Sequence, residues 1–112
     1  MVKQPKVYIL HMLTSLKLIE KYLHGKSKDD FLSSEQLQDA VIRRLEIIGE
    51  AVKNLPEDII KNHSDLPWKQ IAGMRDILIH QYFGVDLELT WEVIQVELPV
   101  LKSKFVALSK SL

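Results

Sequence analysis

Apolar residues recur at steps of three and four after Pro5. Ile9, Met12, Leu16, Ile19 and Leu23 would share one face of a first helix. Gly25 supplies its stop, because glycine enters the left-handed region freely. Lys26 to Asp30 reads as a polar loop. Ser33 and Gln36 then fit a capping box, and Leu32 can staple to Leu37, at the start of a second helix. Its stripe of Leu37, Val41, Leu45, Ile48, Val52 and Leu55 runs to Pro56, where the helix must end. Residues 57–62 suit one short helical turn and 63–66 a loop. Pro67 belongs in the first turn of a third helix, running from Trp68 towards Gly84. Asp86 would cap a fourth, whose apolar residues are Leu87, Trp91, Ile94, Leu98, Leu101, Phe105, Leu108 and Leu112. Those alternating steps of four and three form a heptad seam suited to lying along another helix. Pro99 falls inside it and should bend it, since it removes the bond to the carbonyl of Gln95. No segment alternates as a strand would, and no internal repeat occurs. The pattern predicts an all-α fold, an up-and-down bundle of four to five helices.

A chain of 112 residues matches the common size of one domain, so residues 1–112 are read as a single unit. Hydrophobic residues at 46% suffice for a core, which argues against a disordered chain. With no cysteine, a disulfide, a thiolate metal site and a thiol nucleophile are all excluded. The apolar N-terminal stretch is interrupted by Lys17, Glu20 and Lys21, so neither a membrane span nor a cleaved leader is expected. A cytoplasmic location is the default expectation. Fifteen basic residues balance fifteen acidic ones, so the whole chain is no electrostatic magnet for nucleic acid. Any contact with RNA must come from a local patch or from a surface made by two subunits.

The stretch from Pro67 to Tyr82 carries the most chemistry. Arg75 and His80 are five residues apart, about 140° around an ideal helix. They share a face only if the helix loosens or a second subunit completes the site. Asp76 and His80 are four apart and can touch, so the carboxylate could orient the imidazole and raise its basicity. An arginine and a histidine without metal ligands suit RNA cleavage. The 2′-hydroxyl is an internal nucleophile, so the catalyst need only move protons and steady charge on the phosphate. From spacing alone the plainer account, surface ion pairs and a histidine at a helix end, has the advantage. Arg43, Arg44 and Lys69 are candidate phosphate contacts. Glu46 and Glu50 form an i,i+4 pair but lack the histidine-bearing partner motif of a di-metal bundle, so neither a metal nor a cofactor is expected. A helix–helix contact at Gly49 and Ala51 is the simpler account of that stretch. His11, His24 and His63 have no ligand spacing.

The chain resembles the HEPN superfamily, specifically the HepT-like toxins of prokaryotic toxin–antitoxin pairs. The likeness runs through Asp39-Ala40-Val41, Ile48-Gly49-Glu50-Ala51, Pro67-Trp68 and Gly73-Met74-Arg75. It continues through Leu78-Ile79-His80-Gln81-Tyr82 and Val85-Asp86 to Trp91 and Leu98-Pro99. The resemblance implies a HEPN-like homodimer that cuts RNA without metal, with Arg75 and His80 of both subunits meeting at one cleft. It implies a cognate minimal nucleotidyltransferase as antitoxin, transferring AMP to the motif tyrosine, here Tyr82. Many relatives carry Asn after the motif arginine, whereas this chain has Asp76, which adds a negative charge near the phosphate. Two other readings stand beside this one. In the first, the same helical dimer is a non-catalytic nucleotide- or partner-binding subunit of a nucleotidyltransferase complex, with Arg75 as a phosphate clamp. The second is a purely structural adaptor.

Overall fold

Helix α1 spans Pro5–Leu23 and buries the face that the spacing marked: Ile9, Met12, Leu16, Ile19 and Leu23, with Leu13 beside them. Pro5 stands in its first turn, where a missing N–H costs nothing. Beyond its end Gly25 takes φ 73°, a conformation that a side chain would strain. The computed structural model describes residues 4–73 and 87–112.

The polar stretch after Gly25 is not all loop. Residues Lys28–Leu32 form a short helix, α2. Its capping box is Ser27 with Asp30: the Asp30 N–H donates to Ser27 Oγ (3.1 Å) and the Ser27 N–H to Asp30 Oδ2 (2.9 Å). That backbone donor, the Ser27 hydroxyl and Lys26 together hold the Asp30 carboxyl below its ordinary value of 3.8. Protonation would surrender the acceptor, so this contribution to stability is present above that value and lost as pH falls through the depressed one.

Helix α3 spans Glu35–Lys53, and its cap is Ser34, not Ser33. Ser34 Oγ accepts from the Leu37 N–H at 3.2 Å. Ser33 instead closes α2, its hydroxyl donating to the Asp29 carbonyl at 2.7 Å. The expected box of Ser33 with Gln36 is therefore wrong by one residue. With the cap at Ser34, the staple positions fall on Ser33 and Gln38, neither of them apolar. Gln38 does other work: its amide donates to the carbonyls of Phe31 (2.9 Å) and Leu32 (3.1 Å), tying α2 to α3. Of the expected stripe, Val41, Leu45, Ile48, Val52 and Leu55 are buried, while Leu37 in the first turn is half-buried. The helix stops at Lys53, ahead of Pro56, with the Asn54 amide capping the Glu50 carbonyl.

Helix α4, Glu57–Asn62, is the short turn expected. Residues 68–73 are helical and open α5. Helix α6, Leu87–Ser111, passes through Pro99 without interruption. Of its seam, Ile94, Leu98, Leu101, Phe105 and Leu108 are buried and Leu87 and Trp91 half-buried, but Leu112, counted as its last member, lies past the helix end and is 40% exposed. The seam packs on α1, and Lys102 bridges to Glu20 across that junction at 3.0 Å. An ion pair this exposed adds little, so apolar burial carries the contact. Phe31, fully buried, sets its ring 5.7 Å from that of Trp91 and plugs α2 against α6. Among the described residues there is no strand, and they form the all-α bundle that the pattern predicts. No helix among them is long and apolar enough to cross a membrane.

Candidate functional site

Arg75, Asp76, His80 and Tyr82 lie outside the described residues, as does Asp86, the expected cap of α6. The borders of that segment are described, and the core holds both. On the near side, the Trp68 indole N–H donates to the His63 carbonyl at 2.9 Å. The Trp68 ring stacks on Phe105 at 6.1 Å, and Leu66 and Ile71 are buried beside it. Pro67 precedes α5, whose first turn closes through the ordinary helical bond from the Ile71 N–H to the Pro67 carbonyl at 3.0 Å. Lys104 on α6 reaches back to the Asp65 carbonyl at 3.1 Å. On the far side, Thr90 is buried and Leu87 packs half-buried on the core. The helix that carries the sequence towards Arg75 therefore starts from a fixed root, two aromatic rings deep.

The three candidate phosphate contacts do not come together in one cleft. Arg43 on α3 has its side chain 66% exposed, with Nη1 at 3.6 Å from Glu46 Oε2. It borders a cleft of about 390 Å³ between α1 and α3, shared with Tyr8, His11, Glu46 and Asn54. Neighbouring Arg44 is half-buried and Lys69 on α5 is exposed, and neither lines that cleft. Residues 43 and 44 are about 100° apart around the helix, which is why they part company. Sequence reading did not single out Tyr8 and set His11 aside for want of ligand spacing, because nothing in spacing brings residues 8 and 11 beside residue 43.

Glu46 is engaged by Arg43, and Glu50 is exposed on the next turn. No group of three or more His, Asp or Glu side chains among the described residues could hold a metal ion. Gly49 and Ala51 are both buried, as a helix contact there requires. His11 and His24 are exposed, and His63 serves through its backbone carbonyl, accepting from Trp68.

Comparison with known proteins gives a consistent answer. The profile described as "Ribonuclease HepT-like" matches residues 12–108. A Methanocaldococcus jannaschii protein, a gamma-glutamylcyclotransferase and candidate RNase in its name, is 53% identical over 98% of this chain. This chain spans half the length of that relative. A candidate RNase from Caldanaerobacter subterraneus subsp. tengcongensis is 47% identical over 91% of each chain. A protein of Thermococcus cleftensis named "Probable ribonuclease HepT" is 44% identical over 98% of this chain and 100% of its own length. No solved structure matches. The matched span takes in almost the whole bundle, from the buried face of α1 to Leu108 on α6, and on this ground the chain belongs to the HepT-like ribonuclease family.

Proposed function

We propose that this chain is the endoribonuclease toxin of a toxin–antitoxin module, cutting RNA without a metal ion. One observation carries the reading: the family match runs through the segment that holds Arg75, Asp76, His80 and Tyr82. The anchored root of α5 supports it, since a catalytic constellation needs a rigid base.

An imidazole of His80 accepts the proton of the 2′-hydroxyl as its oxygen bonds to phosphorus. The bond from phosphorus to the 5′ oxygen breaks, and a protonated imidazole returns a proton to that oxygen. The Arg75 guanidinium holds the phosphorane oxygens in a two-pronged contact, and Asp76 orients His80. A homodimer would bring two such sets to one cleft, which answers the poor convergence of residues five apart on one helix. The products are a 2′,3′-cyclic phosphate and a 5′-hydroxyl. Cleavage should therefore persist in EDTA and leave a cyclic end, read by gel and mass spectrometry. Activity lost on chelation and restored by magnesium would overturn the mechanism.

In this reading the antitoxin is a minimal nucleotidyltransferase. The Tyr82 hydroxyl attacks the α-phosphorus of ATP and pyrophosphate leaves, placing AMP two residues from His80. Added bulk and negative charge there would exclude the RNA phosphate. Mass gain on the native chain but not on Tyr82→Phe would support this, and equal gain on both would remove Tyr82 from the account. A second reading, a non-catalytic binding subunit of that transferase, draws on the balance of fifteen basic and fifteen acidic residues.

A further inference from the structure

Helix α6 is apolar on two sides. The buried seam of Ile94, Leu98, Leu101, Phe105 and Leu108 fills one of them. On the other, Leu89, Val93, Val96 and Val100 follow one another at steps of four, three and four. The exposed small residues Ser103 and Ala107 continue the series. On an ideal helix these six positions fall within about 80° of arc, about 150° round from the seam. Val93 is half-buried, but Leu89 and Val100 are each 55% exposed, and Val96 more so. A helix apolar on both sides ordinarily has both covered. The stripe borders a groove of about 540 Å³ between α6 and the root of α5, where Pro67, Gln70 and Ile71 form the facing wall.

We propose that a second copy of this chain covers the stripe, its α6 running antiparallel to the first. The inference rests on the ribonuclease reading, in which two subunits share a cleft, and adds to it the face by which they meet. The spacing selects a second copy over a foreign protein. Steps of four, three, four, three and four read the same from either end. Two antiparallel copies centred on Leu98 therefore set Val96 against the partner's Val100, Val93 against the partner's Ser103 and Leu89 against the partner's Ala107. Each contact occurs twice, as a two-fold interface requires. Charge points the same way. The first half of α6 carries Glu88, Glu92 and Glu97 and no cation; the second carries Lys102, Lys104 and Lys110 and no carboxylate. Lys102 is turned to Glu20 on α1, but Lys110 is exposed. An antiparallel pair brings Glu88 and Glu92 alongside the partner's Lys110, and Glu97 within about one and a half turns of the partner's Lys104. A parallel pair would set like against like. The two Glu97 approach each other near the axis, which limits the affinity. The stripe is about 27 Å long and, with the α5 root beside it, about 20 Å wide. Each chain then contributes on the order of 500 Å² and the pair about 1,000 Å², the threshold for a specific interface. An antiparallel pair also places the same margin of both helices on one edge, so both α5 roots stand there. Ile71 in that root is four residues ahead of Arg75 in sequence.

Sedimentation equilibrium on the full chain tests this. An interface at the small end of the range holds with micromolar affinity, so the mass should climb from 13.0 kDa towards twice that value between about 1 and 200 µM. Val96→Glu puts a carboxylate in the middle of the stripe and should weaken pairing on the order of a hundredfold. In dilute solution, where the chains are separate and Val96 is exposed, the melt of this variant should match that of the native chain. Alignment is read by cross-linking, since the native chain has no cysteine. Val96→Cys and Val100→Cys chains, mixed and oxidised, should join to each other faster than either joins to itself. Like-to-like products in the lead would overturn the antiparallel alignment. A native mass fixed at 13.0 kDa across that range overturns the proposal and leaves the face to a different protein. A folded Val96→Glu chain that pairs as the native one does overturns it equally. If Val96→Glu does not fold, the cross-linked products decide. The outcomes separate the two readings. Pairing by this face in a chain that leaves RNA whole sinks the cleavage reading alone. RNA cleavage by a folded Val96→Glu chain that still pairs sinks the face alone.

Discussion

His80→Ala should lower the rate of RNA cleavage by about 10²–10⁴-fold, the usual contribution of a positioned general acid–base group. The fall should appear in the rate at saturating RNA, with little change in binding, because an imidazole that moves protons adds little to ground-state affinity. Arg75→Lys should also cost on the order of 10²-fold. Charge is kept, but an ammonium cannot span two phosphate oxygens as a guanidinium fork does. Single-turnover assays with excess protein read both changes directly. Cleavage by His80→Ala at the native rate would remove this residue from the mechanism, and with it the proposed chemistry of the segment.

Phe105→Ala should destabilise the protein by about 3–5 kcal/mol, the range for emptying a fully buried phenyl site. Phe105 is 0% exposed and its ring is the platform for Trp68, so its loss removes one side of the root of α5. For a domain with a total stability of about 5–15 kcal/mol, that is a large share, and the melting temperature should fall by on the order of 15 °C. Val96→Ala on the outer face of the same helix is the control. Val96 is 69% exposed, and the change there should stay within about 0.5 kcal/mol. Urea unfolding of the two variants side by side checks the contrast. Equal midpoints would mean that the aromatic pair does not hold the bundle together.

The long helices were legible because their signal is local. A helix repeats every 3.6 residues, so the buried faces of α1, α3 and α6 appear as steps of three and four before any tertiary contact is considered. Gly25 and Pro56 marked their stops for equally local reasons, a freely accessible left-handed φ and a missing N–H. The family was also legible, through the residues that carry its resemblance along the chain.

Helix α2 was not, because five residues are too few to show a period. Its only trace in the chain is the Ser27-x-x-Asp30 spacing, which resembles many polar loops. What makes it a helix is Phe31, buried against α3 and α6 and facing Trp91, a residue sixty positions away. The choice between Ser33 and Ser34 as cap follows from that. Once α2 ends at Ser33, the Ser33 hydroxyl is committed to the Asp29 carbonyl, and only Ser34 is free to accept from Leu37. The cleft that joins Tyr8 to Arg43 belongs to the same class. Thirty-five residues separate them, and side chains on two helices become neighbours only when the apolar faces of α1 and α3 have been buried against each other. Periodicity states which face of each helix goes inward; what then meets along the outer edges of the seam is settled by how the helices pack.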